Sequence, residues 1–367
     1  MRSATPRFSP PLLVIATLVA VAAGARAKPP PPLPGPAPQA RAADYDVAAE
    51  NRACEGCHVD IAAEWRGSLH RRAWDDPVFQ TAYAIEQQAF CRGCHAPEAD
   101  PAHVPPEAAR RLGVGCITCH VNEGEIVGAR AHAASPARHA VRGDARLATA
   151  AACEGCHQFD FPQPQSAPMQ GTGDEHRASA YASQSCQHCH MPPVRVEGGK
   201  KHRSHDFRVS GDVAMLRSAV KARASRSGEN AVTVSLATAR VGHAFPTGDM
   251  FRRLEVRARV VGEGGAKAKP AVLARRFVMV PGPDGPRRMQ TGDDRLPATG
   301  EAREVQLPFA EAVAEQSVRW EVAYQRMDAG MAAAWGVDPA ADEVIVAEGM
   351  LPPEKVTINA AMEGKKQ

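Results

Sequence analysis

Aromatic residues are scarce: Phe, Trp and Tyr together make up 5% of the 367 residues. A core built from side chains alone is therefore short of its bulkiest fillers. Charge of one sign is missing too, with 44 Lys and Arg against 41 Asp and Glu and a formal net charge of +3. The balance holds along both halves of the chain. A nucleic-acid binder carries a basic stripe or excess, so that class of partner is not expected. Cysteine is absent beyond position 189. No apolar run after the first thirty residues is long enough to cross a bilayer, which takes about 20 residues. At 44% hydrophobic and 23% charged, the chain otherwise reads as a folded protein of two or three domains.

The start of the chain reads as an export signal. Arg2 and Arg7 precede an apolar run from Leu12 to Ala23, and Ala25-Arg26-Ala27 is a small-residue cleavage site. The apolar run is too short for a membrane anchor, so residues 1–27 are expected to be removed. Residues 28–44 open with a proline-rich spacer, extended and stiff rather than packed. The mature protein is then expected in the periplasm or further out, with no integral membrane segment.

All ten cysteines fall into five copies of C-x-x-C-H. These are Cys54–Cys57–His58, Cys91–Cys94–His95, Cys116–Cys119–His120, Cys153–Cys156–His157 and Cys186–Cys189–His190. In such a motif two thiols add to the vinyl groups of a haem, and the adjacent His ligates its iron. Two thioethers on a short loop fix the macrocycle without a large pocket, and porphyrins offer the planar apolar surface that the aromatics do not. Zinc knuckles use C-x-x-C in pairs, whereas five is odd, and they have no role for a His after every second Cys. Five disulfides are the other alternative, but a disulfide framework does not require the constant two-residue gap. The expected cofactors are five covalently bound haem c, with His58, His95, His120, His157 and His190 as proximal ligands.

Nine histidines remain, and five irons each need a sixth ligand or an open position. His70 closes Glu64-Trp65-Arg66-Gly67-Ser68-Leu69-His70, which partly repeats as Glu175-His176-Arg177-Ala178-Ser179-Ala180-Tyr181. There His176 takes the place of Trp65, and Tyr181 that of His70. His188 sits inside the fifth motif and is discounted for that haem. His103, His132 and His202 lie in loop-like sequence and are expected to face solvent.

The run Gly113-Val114-Gly115-Cys116-Ile117-Thr118-Cys119-His120, with Ser135-Pro136-Ala137-Arg138-His139 downstream, resembles multihaem cytochromes c related to the tetrahaem cytochrome of ammonia oxidation. Met169-Gln170-Gly171-Thr172 followed by Cys186-Gln187-His188-Cys189-His190-Met191-Pro192 is similar to the last haem site of that group. His205-Asp206-Phe207 and Gly242-His243-Ala244-Phe245-Pro246-Thr247-Gly248-Asp249 resemble two further signatures of it. The resemblance implies that His70, His139, His205 and His243 are distal haem ligands. His176, where the family pattern expects Trp, is either a fifth distal ligand or a packing residue.

Beyond Gly211 the pattern changes to period-two alternation, the mark of half-buried strands. Val232, Val234 and Leu236 alternate with Thr233 and Ser235; Leu254, Val256, Ala258 and Val260 with charged residues; Val318, Trp320, Val322 and Tyr324 with Arg319, Glu321 and Ala323. Shorter runs at 277–280 and 344–346 add two strands. His243 falls on the turn between the first two. The expected fold class is α + β: a mostly helical and loop multihaem domain over 45–210, then an antiparallel β-sandwich-like domain over 211–367. Within the first part, helices are expected over 60–75, 76–88 and 178–184.

Closely spaced haems with two imidazoles each predict an electron relay, whose partners are other redox proteins or a membrane electron-transfer complex. The alternative is a haem oxidoreductase acting on a small nitrogen or sulfur compound or peroxide at one open iron. Neither reading names a catalytic residue.

Overall fold

Each C-x-x-C-H stretch folds into a short helix. The five are Val47–Cys57, Ala89–His95, Cys116–His120, Ala151–His157 and Cys186–His190. Residues three apart share a helix face, so the spacing sets both thiols of a motif on one side. The computed structural model describes residues 45–354 except 137, 162–167, 196–198, 200, 208, 210, 283–284 and 339–342. The expected export signal and proline-rich linker lie outside the described residues.

Two further helices sit between the first two motifs. Val59–Gly67 is shorter than the expected helix over 60–75, because the chain turns extended at Ser68 and continues in turns. Pro77–Ile85 matches the expectation over 76–88: Asp76 caps it by accepting from the Phe79 amide at 3.0 Å, and Pro77 occupies its first turn. No helix forms over 178–184, where the chain is turn. There the Ser179 hydroxyl donates to the His176 carbonyl at 2.8 Å and accepts from the Tyr181 amide at 3.1 Å, bonds that compete with a helix ladder. The helix lies one step earlier, at Thr172–Arg177.

Buried side chains in this first part form only small clusters. Trp65, Leu112 and Ile117 make one; Trp74, Tyr83 and Ala96 make another. The large hydrophobic cluster begins at Leu216 and ends at Val346. That contrast fits a first part whose core is completed by something other than side chains.

After Val220 the chain is mainly antiparallel sheet. One sheet has the order Arg287–Asp293, Ala271–Val280, Arg253–Val260, Val318–Gln325, Glu343–Leu351. The other has the order Arg303–Pro308, Ala231–Thr238, Val220–Arg226. The alternation is realised directly: Val232, Val234 and Leu236 are fully buried while their neighbours are half-exposed. Both sheets contribute to the large cluster, including Leu254, Val256, Val318 and Val322 from the first and Val305 and Leu307 from the second. Each such Val or Leu contributes about 1.5–3 kcal/mol on burial. All five expected strands are present, and three more are found, at Val220–Arg226, Arg287–Asp293 and Arg303–Pro308.

Ion pairs and hydrogen bonds bind the sheets to the motif-bearing part. Arg275 donates to the carbonyls of Pro168 at 2.8 Å and Met169 at 2.7 Å. Val78 packs with Met327 and Ala332. The Arg326 guanidinium grips the Asp76 carboxylate with two bonds of 2.9 Å, both side chains being 12% exposed. Burial pushes the Asp76 carboxyl up, but the hydrogen bond and charge of Arg326 outweigh it and hold the group below its usual range.

Arg326→Ala leaves that carboxylate buried and unpaired, so we expect a loss of about 3–5 kcal/mol in unfolding at pH 7. The folded value of Asp76 is depressed, so the stabilisation is present above the unfolded value and is lost as pH falls through the folded one. The gap between wild type and variant should narrow below about pH 4. A gap that stays constant from pH 7 to pH 3 would contradict the assignment.

Candidate metal centres

The ten cysteines are all free thiols, so the five motifs are not closed into disulfides. Among the described residues no group of three or more His, Cys, Asp or Glu side chains converges as a metal-ion site. The motifs lie close together. Cys153 hydrogen-bonds to Cys186, and Cys156 to Cys94. The bond from Cys186 and burial push the Cys153 thiol up. The bond from Cys94 and burial do the same at Cys156.

Four motif histidines each face a histidine from a distant part of the chain. Ring centres are 6.1 Å apart for His58 and His139, 6.4 Å for His157 and His70, 6.3 Å for His120 and His205, and 6.2 Å for His190 and His243. Direct stacking is much closer, as the 3.5 Å between His95 and Phe79 shows. A direct N–H···N bond of about 2.9 Å would bring ring centres to about 5 Å. Two metal–nitrogen bonds of about 2 Å each, added to the distance from nitrogen to ring centre on both sides, give about 6 Å. The four separations match that span, and His132 also lies 6.1 Å from His139.

Hydrogen bonds turn the rings for that task. Nδ1 faces a carbonyl in His120 (Val127, 2.9 Å), His205 (Arg203, 2.7 Å), His243 (Ala244, 2.8 Å) and His139 (Ala140, 3.1 Å). His95 Nδ1 faces the Ala73 carbonyl in the same way. A carbonyl only accepts, so Nδ1 carries the proton and Nε2 keeps a free lone pair for a metal. Burial, with the neighbouring His157, lowers His70 to about 3. Burial lowers His243 to about 4. Both imidazoles are therefore neutral at pH 7, the form that ligates.

Distant segments set these rings in place. The His70 carbonyl accepts from the Val114 amide at 2.9 Å, tying the first repeat to the third motif. Gly113 makes that approach possible: its φ is +60°, and a Cβ there would stand 2.5 Å from the His70 carbonyl oxygen. Glu64 carries the loop of His205, accepting from its amide at 2.8 Å while its other oxygen meets His202 Nε2 at 3.0 Å. Glu175, in the same place of the second repeat, holds the loop of His243. It accepts from the Thr247 hydroxyl at 2.6 Å and from Arg295 at 2.7 Å, and Arg295 also donates to the Pro246 carbonyl at 3.0 Å. Beside His243, Phe245 pairs with Leu296 through bonds of 2.8 and 3.0 Å, which fixes the turn at the sheet's edge.

The remaining candidates separate clearly. His176 packs against Gly242 and is not one of the paired rings. His103, beside Asp100, and His132 are exposed as expected, and His188 is exposed too. His202 is half-buried in its pair with Glu64 rather than facing solvent, because that carboxylate needs a second partner. Among the described residues, the ring in contact with His95 is Phe79, nearly parallel at 7°. The adjoining Tyr83 hydroxyl is buried without a hydrogen-bond partner, a donor that a group attached at Cys91 and Cys94 can satisfy. Sequence reasoning missed Glu64, Glu175, Arg295 and Phe79; the repeated glutamate of the two related segments was the available signal.

Residues 53–121 match the family described as cytochrome c554 and c-prime, a stretch that holds the first three motifs. The chain also shares its fold with a penta-heme cytochrome c552 from Thermochromatium tepidum, at 22% identity and a TM-score of 0.63. That likeness covers 84% of this chain and 99% of the other. No curated protein matches the sequence.

Glu64→Ala strips both the His205 amide and the His202 ring of their acceptor. We expect a loss of about 1–3 kcal/mol, seen as a lower thermal midpoint, with Glu64→Gln recovering part of it. An unchanged midpoint in the alanine variant would remove Glu64 from this role.

Proposed function

We propose that this chain is an exported pentahaem c-type cytochrome that relays electrons between redox partners. The observation that carries the reading is the single separation, 6.1 to 6.4 Å, shared by four imidazole pairs. Five C-x-x-C-H motifs, the match over residues 53–121 and the shared fold support it. In this reading Cys54, Cys57, Cys91, Cys94, Cys116, Cys119, Cys153, Cys156, Cys186 and Cys189 attach five haems. His58, His95, His120, His157 and His190 are proximal, and His139, His70, His205 and His243 are distal partners for four of them. Bound haem would supply one-electron chemistry at iron, and at the four paired sites two imidazoles would leave no position for substrate.

The protein's own part is positioning. Carbonyls fix the Nδ1 protons of His95, His120, His139, His205 and His243, which orients those rings and strengthens Nε2 as a donor. Imidazole pairs without a methionine partner favour lower potentials than His/Met pairs. We read the eight strands after Val220 as a β-sandwich-like domain beginning near Gly211, because both sheets feed one hydrophobic cluster. Its service to the first part is to deliver His243. The export signal at 1–27 places the molecule in the periplasm or beyond, where its partners are other redox proteins or a membrane electron-transfer complex. Among the described residues no helix is long and apolar enough to cross a membrane. The motifs at Gly113–His120 and Met169–Pro192 make the tetrahaem cytochrome of ammonia oxidation its proposed relative.

One observation favours a second reading. Among the described residues, His95 is the motif histidine with no imidazole set opposite it, whereas the other four each face one. A haem held by Cys91, Cys94 and His95 would have no second imidazole from this set, and the chemistry it would then supply is reaction with a small nitrogen or sulfur compound or peroxide.

Mass spectrometry of the purified protein should show five haem additions per chain; a smaller full complement overturns the pentahaem reading. His243→Ala should convert one haem from low-spin to high-spin in visible spectra and leave the haem count at five. A spectrum identical to wild type would remove His243 as a ligand.

A further inference from the structure

Phe207 is one of two non-glycine residues with a positive φ among the described residues, at +45°. A bulky side chain there is an outlier, and such strain costs on the order of 1–3 kcal/mol, persisting only where the surroundings over-determine it. What surrounds Phe207 is two imidazoles from different pairs. Its ring centre lies 4.2 Å from His70 at 52°, and 5.7 Å from His205 edge-on at 85°. His70 pairs with His157 of the fourth motif, and His205 with His120 of the third. One phenyl ring therefore touches a candidate ligand of each of two centres. Its position is anchored on both sides. His205, two residues earlier, is held by the Glu64 carboxylate and the Arg203 carbonyl, and His70 is held by the Val114 amide.

Building on the proposed haem ligation, we propose that Phe207 is a positioning residue that couples the third and fourth metal centres. Its ring fixes the orientation of His70 relative to His205 and keeps water out of the gap between them. With haems bound, Phe207 would hold the two ligand rings in contact without itself being oxidised or reduced. Polar or aliphatic side chains do not reproduce this, since an aromatic ring packs both face-on and edge-on against its neighbours.

The test uses the full haem-loaded protein with Phe207→Leu and Phe207→Tyr, read by electron paramagnetic resonance and by spectroelectrochemical titration. The leucine variant should shift the low-spin signals of two haems together, and their potentials with them. The tyrosine variant should restore both, and the remaining haems should be unchanged in either. A role in general stability would lower the thermal midpoint without singling out two signals. Leucine spectra that match wild type, or that differ at one haem only, overturn the inference while leaving the relay reading intact. A wild-type protein without low-spin bis-imidazole signals defeats the relay reading first, and this inference with it.

Discussion

Two imidazoles held about 6 Å apart by segments far apart in sequence are the arrangement on which the rest of this molecule depends. His190 and His243 are brought to 6.2 Å across more than fifty residues and a change from helix to sheet. His58 and His139, His120 and His205, and His70 and His157 span similar or longer stretches. Such a separation gives little direct attraction between the rings, so other bonds must hold them. Those bonds are the carboxylates of Glu64 and Glu175, the guanidinium of Arg295 and the backbone contact at Gly113. The two glutamates occupy equivalent places in the two related segments, and each secures the loop of a different distal candidate.

The same constraint explains the division of labour along the chain. The motif-bearing part holds ten of the chain's 18 aromatics yet forms only small hydrophobic clusters, so side chains alone do not give it a continuous core. The sheets carry the large cluster and act as the stiff body against which the rest is set. Arg275, Arg295 and Arg326 reach from the sheets to carbonyls and carboxylates of the first part. A turn at the edge of a rigid sheet is a precise place from which to present His243. This is why a cysteine-free region belongs to the proposed haem assembly.

What was legible in the sequence follows the range of the interactions. The five motifs are local, so spacing alone revealed them. Strands with large apolar residues on one face, such as Ala231–Thr238, were legible by alternation. The three missed strands, Val220–Arg226, Arg287–Asp293 and Arg303–Pro308, all lie at sheet edges. Edge strands are half-solvated, so the apolar face of Val220–Arg226 shrinks to alanine and that of Arg287–Asp293 gives way to charge, while Arg303–Pro308 offers only Val305 and Leu307 before a proline that an edge tolerates. The distal candidates came from family resemblance, and the structure sets all four opposite motif histidines. The roles of Phe79 and Phe207 were illegible because each rests on a ring brought from another stretch of sequence, His95 for Phe79 and His70 for Phe207, and Glu64 left only its repetition at Glu175 as a sign. His202 looked like a solvent-facing loop residue for the same reason.

The most direct test of the central claim is electron paramagnetic resonance of the fully oxidised wild-type protein, with spins integrated against the haem content of the same sample. The account predicts four low-spin haems and one, at Cys91–Cys94–His95, with a distinct signal from an iron that lacks a second imidazole. Fewer than four low-spin haems would contradict the claim that these imidazole pairs each hold an iron.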